Sequence, residues 1–180
     1  MYKPLWVQGA HKIRIGEAGL FMRCSLIVEE QSWKSSGPAV SFGDRVIVLP
    51  FASIGAAESV IIEDDVAIGS FAMIRDAEHQ RKGRGEWTES HAAEGLERRV
   101  GNPTGYGPID VAPVRIGRGA AIGDRVAVLP GSQIGMHSFI GTNSVVRGNI
   151  PDYSVAVGAP ARVVGTTRLE TEGHDPARGA

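Results

Sequence analysis

Cys24 is the only cysteine, so the chain can form no internal disulfide, and nothing in it calls for an oxidising compartment. No apolar run approaches the roughly 18 residues that a membrane span requires. The opening stretch MYKPLWVQGAHK lacks the apolar centre of a signal peptide, so the cytoplasm is the expected location. Charge of one sign is missing too: 19 basic residues face 20 acidic ones, for a formal charge of −1 and a pI near 6.5. That leaves no basic field to recruit nucleic acid or an anionic membrane, and the expected partners are small molecules or other proteins. Aromatics are scarce, with three Trp, three Tyr and five Phe in 180 residues. The length suits one domain with a real core, yet something other than large side chains must organise it.

What the sequence has instead is 24 glycines and a repeat. Ile116, Ile122, Val128, Ile134, Ile140 and Val146 recur at a strict spacing of six. Gly117, Gly123, Gly135 and Gly141 follow four of them. Four residues after each aliphatic comes a small or apolar residue: Ala120, Val126, Ser132, Ser138, Ser144 or Ile150. A helix cannot generate this pattern, because six residues turn through about 600° and scatter the aliphatics around the axis. Strand geometry allows it, six being a multiple of two. An unbroken strand would bury Arg118 and Asp124, so a turn must follow each aliphatic, and the glycine there is expected to supply the permissive backbone. Each hexad is then a short strand and a corner, and three corners close a triangular coil of about 18 residues. Looser hexads precede the strict set: Ile15, Phe21, Ile27 and Trp33; Phe42, Val48 and Ile54; Ile62, Ile68 and Ile74. The slips near 34–41 and 56–61 read as corner insertions.

The residue before each aliphatic points outward, and stacking at 18 residues sets Ala121 under Phe139, Ala127 under Val145 and Gln133 under Pro151. Two walls are thus apolar and one more polar, which suits a threefold ring in which each subunit offers two different walls to its neighbours. The beat stops over 75–113, a long excursion of the kind that is usually functional. Within it Ala92, Ala93, Leu96 and Val100 predict a short helix. His79 stands at its root, and histidine is the side chain whose ordinary pKa suits removing a hydroxyl proton near neutrality. Asp76 or Glu78 could hold its imidazole in the required tautomer. The tail from 166 to 180 has little apolar content and is expected to be mobile, leaving 1–165 as the folded domain.

The repeat over roughly residues 10–165 resembles the hexapeptide-repeat acyltransferases, in the branch of galactoside, maltose, streptogramin and polysaccharide O-acetyltransferases. The resemblance implies an all-β fold, a left-handed parallel β-helix, and homotrimers with active sites between subunits. The handedness comes from the resemblance alone, since crossovers between parallel strands are otherwise right-handed. It implies transfer of acetyl from acetyl-CoA directly to an acceptor hydroxyl, or alternatively an amine, of a sugar or natural product. His79 matches the general base, with no metal required. IGTNSVVRGNIPDYSVAVGAPARVV is similar to the family's closing segment. On that match Thr142 would border the pantetheine arm, Arg147 would meet a CoA phosphate, and Ala159, Pro160 and Arg162 would contact the adenine and ribose phosphate. Two departures stand out: Gly148 replaces the usual lysine, and Ala121 replaces a tryptophan of the sugar acetyltransferases. Trp87 and Tyr106 are expected to shape the acceptor pocket. Two rival readings use the same coil: a zinc enzyme similar to the γ-type carbonic anhydrases, and a non-catalytic assembly module. The zinc reading lacks the close histidine pair it needs among His11, His79, His91, His137 and His174.

Overall fold

The structure, a computed structural model, describes residues 5–28, 36–79 and 109–168. These residues build a left-handed parallel β-helix whose strands stack into three walls. The first wall holds Leu5–Gln8, Cys24–Val28, Ser53–Ala56, Met73–Arg75, Ala127–Val128 and Val145–Val146. The second holds Ile13–Ile15, Val40–Phe42, Val60–Ile62, Val114–Ile116, Gln133–Ile134 and Asn149–Ile150. The third holds Leu20–Phe21, Ile47–Val48, Ala67–Ile68, Ala121–Ile122, Phe139–Ile140 and Ser154–Gly158, and Ala161–Thr166 folds back antiparallel on the last of these. The described residues therefore run as strand to Thr166 and on to Arg168, past the expected start of the tail.

All six aliphatics of the strict repeat are buried, and so are the small residues four positions on. Each fully buried aliphatic side chain stabilises the fold by roughly 1.5–3 kcal/mol, so coils of this kind need few aromatics. The buried serines stay satisfied by bonding between coils. Ser132 Oγ donates to the Val146 carbonyl at 3.1 Å and Ser138 Oγ to that of Pro151 at 2.7 Å. Ser144 Oγ accepts from the Gly158 N–H at 3.0 Å. Cys24 is buried in this core, and loss of solvent pushes its thiol pKa up.

Three expectations need correcting. The glycines after the aliphatics do not make the turns, because the left-handed corner residues come two places later, at Gly119, Arg125, His137 and Asn143. What requires those glycines is the next coil: a Cβ on Gly135 would stand 2.4 Å from the Asp152 nitrogen, and one on Gly123 would stand 2.8 Å from the Thr142 nitrogen. The inward residue of the early first-wall strand is Leu26, fully buried and paired with Ile54, while Ile27 pairs with Gly55 and points outward. Spacing alone could not choose between two adjacent aliphatics. Lastly, Gln133 lies beside Asn149 and not Pro151, because the closing coil is two residues shorter. Gly148, at φ 90°, makes that tighter corner.

The stacks of Ala121 with Phe139 and of Ala127 with Val145 form as expected. The third wall presents Leu20, Ile47, Ala67, Ala121, Phe139 and Val155 outward, and the first presents Trp6, Ser25, Ser53, Met73, Ala127 and Val145, apolar from Met73 on. The second presents Arg14, Ser41, Ile61, Arg115, Gln133 and Asn149, and is the polar one. At the edge shared by the two apolar walls, Phe51 and Phe71 stack at 4.9 Å with Arg23 and Arg125 over their outer faces.

Candidate active site

The chain leaves the coil after Met73–Arg75 and returns at Val114, a narrower gap than 75–113. It departs and comes back as an antiparallel ribbon in which Ala77, Glu78 and His79 pair with Val111, Asp110 and Ile109. His79 is the last described residue of the outgoing strand. The predicted helix over 92–100, together with Trp87, His91 and Tyr106, lies outside the described residues.

Two anchors fix the base of this ribbon. Asp76 is completely buried, and its carboxylate accepts the N–H groups of Ala57 at 2.7 Å, Glu58 at 2.7 Å and Ser59 at 2.6 Å. Those donors belong to the corner insertion anticipated near 56–61, where two extra residues leave three successive N–H groups converging on one point. An anion placed there satisfies all three, and the Asp76 carbonyl holds the returning strand through the Ala112 N–H at 2.9 Å. Asp76, one of the two carboxylates expected to orient His79, thus has its carboxylate engaged by the turn. The second anchor is Glu78, whose Oε2 lies 2.7 Å from Nη2 of Arg147, 69 residues later in the sequence. Spacing could not have revealed either contact, since both depend on which corner lies under the insertion.

Of the residues expected on the donor side, Thr142 is exposed at the corner between the third and first walls. The exposed Ala159–Pro160 turn stacks at the end of the same corner, tied below by the bond from Gly158 to Ser144. Arg162 follows on the returning strand, its Nη1 donating to the Ala161 carbonyl at 2.9 Å. The structure thus brings Thr142, Ala159, Pro160 and Arg162 to one end of the prism. Arg147 stands at the opposite edge of the first wall, on the ribbon. A separate groove of about 530 Å³ lies on the polar wall, lined among others by Arg14, Asp44, Asp64 and Arg115. Its Arg115 is closed on Glu63.

This geometry can be set beside known proteins. The family described as bacterial transferase hexapeptide (six repeats) matches residues 113–148. A probable acetyltransferase of Mycobacterium tuberculosis, Rv3034c, is 34% identical over 134 residues, which are 74% of this chain and 39% of that protein. A putative lipopolysaccharide biosynthesis O-acetyl transferase of Escherichia coli, WbbJ, is 32% identical over 133 residues, covering 74% of this chain and 63% of that one. Among solved structures, AntD, an N-acyltransferase from Bacillus cereus in complex with dTDP and 3-hydroxybutyryl-CoA, superposes with a TM-score of 0.71 at 18% identity, over 92% of this chain and 78% of that one. Galactoside acetyltransferase in complex with coenzyme A gives a TM-score of 0.64 at 24% identity, over 86% and 65%.

The repeat and its coil define a class, the hexapeptide-repeat β-helix proteins. Within that class, the relatives it matches over about three quarters of its length are named as acetyltransferases. The chain spans 39% and 63% of the lengths of the two curated relatives described.

Proposed function

We propose that this protein is a CoA-dependent acetyltransferase that moves an acetyl group from acetyl-CoA to a hydroxyl of a sugar-type acceptor, with His79 as general base. The observation that carries this reading is the doubly anchored ribbon, whose outgoing strand reaches His79 at the mouth of the insertion. His79 takes the hydroxyl proton, the oxygen attacks the thioester carbonyl, and the departing thiolate of CoA receives the proton in turn. Direct transfer of this kind needs no enzyme nucleophile, and Cys24, buried and held protonated, is unsuited to be one. Thr142, Ala159, Pro160 and Arg162, exposed at one end of the prism, are the residues that would hold the donor.

The two apolar walls support a homotrimer in which the first wall of one subunit faces the third wall of the next, with His79 at the seam. The relatives support the sugar class of acceptor. One is named for lipopolysaccharide O-acetylation, and another solved neighbour is a GDP-perosamine N-acetyltransferase in complex with CoA and GDP-perosamine. The test is acetyl transfer followed by release of free thiol across a panel of sugars and nucleotide sugars. His79→Ala should lower kcat by about a hundredfold or more with little change in the KM for acetyl-CoA, and an undiminished rate would remove the assigned role.

A further inference from the structure

We propose that Arg75 recognises the acceptor, its guanidinium holding an oxyanion, a phosphoryl or carboxylate group, carried on the sugar. The proposal rests on the function given above and deepens it by naming the charge of the substrate.

Arg75 ends the strand Met73–Arg75, from which the chain leaves the coil, and stands four residues before His79. Its register partner on the preceding coil is Gly55. That glycine is buried because the arginine lies across it: a Cβ there would stand 2.1 Å from Nη1, 2.8 Å from Cζ and 3.1 Å from Cδ of Arg75. Beside this slot Nη2 donates to Ser53 Oγ at 3.2 Å. Slot and serine together seat a half-buried guanidinium at the root of the ribbon.

No carboxylate of the described residues neutralises this cation, and its hydrogen-bond partner among them is the neutral Ser53. Scarcity of acids does not explain that, since the more exposed Arg45, Arg115, Arg118 and Arg147 each have a carboxylate partner. The two acids that follow Arg75 in the sequence are engaged elsewhere, Asp76 by the turn beneath it and Glu78 by Arg147. Withdrawing a cation from water is unfavourable unless an anion or several acceptors replace the water. Arg75 offers a fork of N–H donors to a single neutral acceptor, and the remaining donors match the geometry of a phosphoryl or carboxylate group. Four residues of extended chain keep the α-carbons of Arg75 and His79 within about 14 Å of each other. An acidic sugar between them can present its oxyanion to the arginine and a hydroxyl to the imidazole.

The test is calorimetric titration of the protein, with CoA present, against glucose, glucose 1-phosphate and glucuronate. The parent is compared with Arg75→Gln, Gly55→Ala and, as a control for lost charge, Arg45→Gln; circular dichroism confirms that each is folded. The parent should bind at least one acidic sugar about tenfold or more tighter than glucose, and the one it prefers tells phosphoryl from carboxylate. Arg75→Gln should abolish the preference. Gly55→Ala keeps the charge but drives the guanidinium from its slot, so it should weaken the preference about five- to tenfold, whereas Arg45→Gln should leave it within about twofold. A parent that binds neither acid more tightly than glucose overturns the proposal, and so does a preference that survives Arg75→Gln. These titrations read no acetyl transfer, so absence of turnover in the parent would count against the proposed function while the oxyanion site is still decided by binding.

Discussion

Replacing Asp76 with alanine should destabilise the protein far more than an ordinary loop substitution. The carboxylate is fully buried and accepts three backbone N–H groups at 2.6–2.7 Å. Hydrogen bonds to a charged group each contribute about 1.5–3 kcal/mol, which would sum to roughly 4.5–9 kcal/mol if all three were simply lost. Ala57 is buried and its N–H would be stranded, whereas Glu58 and Ser59 are partly open and can turn to water. The expected loss is therefore roughly 3–5 kcal/mol, a large share of the 5–15 kcal/mol that holds a typical domain together. Urea unfolding followed by far-ultraviolet circular dichroism measures it. Asp76→Asn supplies the mechanistic control, since it keeps the shape but turns an amide toward the N–H groups. Below its own melting temperature it should retain the parent's pH midpoint for kcat/KM, because the carboxylate serves the turn and not the imidazole. A loss under about 1 kcal/mol combined with a displaced pH midpoint would refute this reasoning and return Asp76 to the role of orienting His79.

Other consequences can be checked alongside. Gly135→Ala should lose roughly 1–3 kcal/mol, because its new methyl group meets the Asp152 and Pro151 backbone at 2.4–2.5 Å; an unchanged melting temperature would show that the coils can part there. Ile74→Ala, fully buried directly below the insertion, should cost about 2–5 kcal/mol in the same unfolding assay. Burial raises the Cys24 pKa, so the native thiol should resist a thiol reagent at pH 8 and react on unfolding. Because the folded state holds that proton more tightly than the unfolded one, the Cys24 contribution to stability should fall as pH rises through the range of a free thiol. Val145→Arg on the first wall should turn a trimer into monomers in sedimentation, and a trimer that survives the change would exclude that wall from the interface.

The coil was legible in the sequence because its physics is periodic. Each of Ile116, Ile122, Val128, Ile134, Ile140 and Val146 meets the same triangular environment, so one spacing identifies all of them. Legibility faded wherever one position could satisfy two demands. Leu26 and Ile27 are equally apolar, and only pairing with Ile54 decides between them. The glycines after the aliphatics suggest backbone freedom, yet it is the neighbouring coil's backbone that leaves no room for a side chain. The two-residue shortening that moves Gln133 beside Asn149 occurs at Gly148, which reads like many other glycines. At the candidate site, the break in the repeat pointed to residues 76–79. The true partners of Asp76 and Glu78 lie 17–19 residues back and 69 residues ahead, contacts that follow from stacking and carry no local signature.

The most direct test is a crystal structure of the protein with CoA bound, in which the position of the His79 imidazole is measured against the CoA sulfur and the neighbouring subunit. The expected result is a ring at a seam between two protomers, within about 4 Å of the place where the sulfur and an acceptor hydroxyl meet. An imidazole facing open solvent, distant from both CoA and any second subunit, would contradict the proposed chemistry even with every coil in its place.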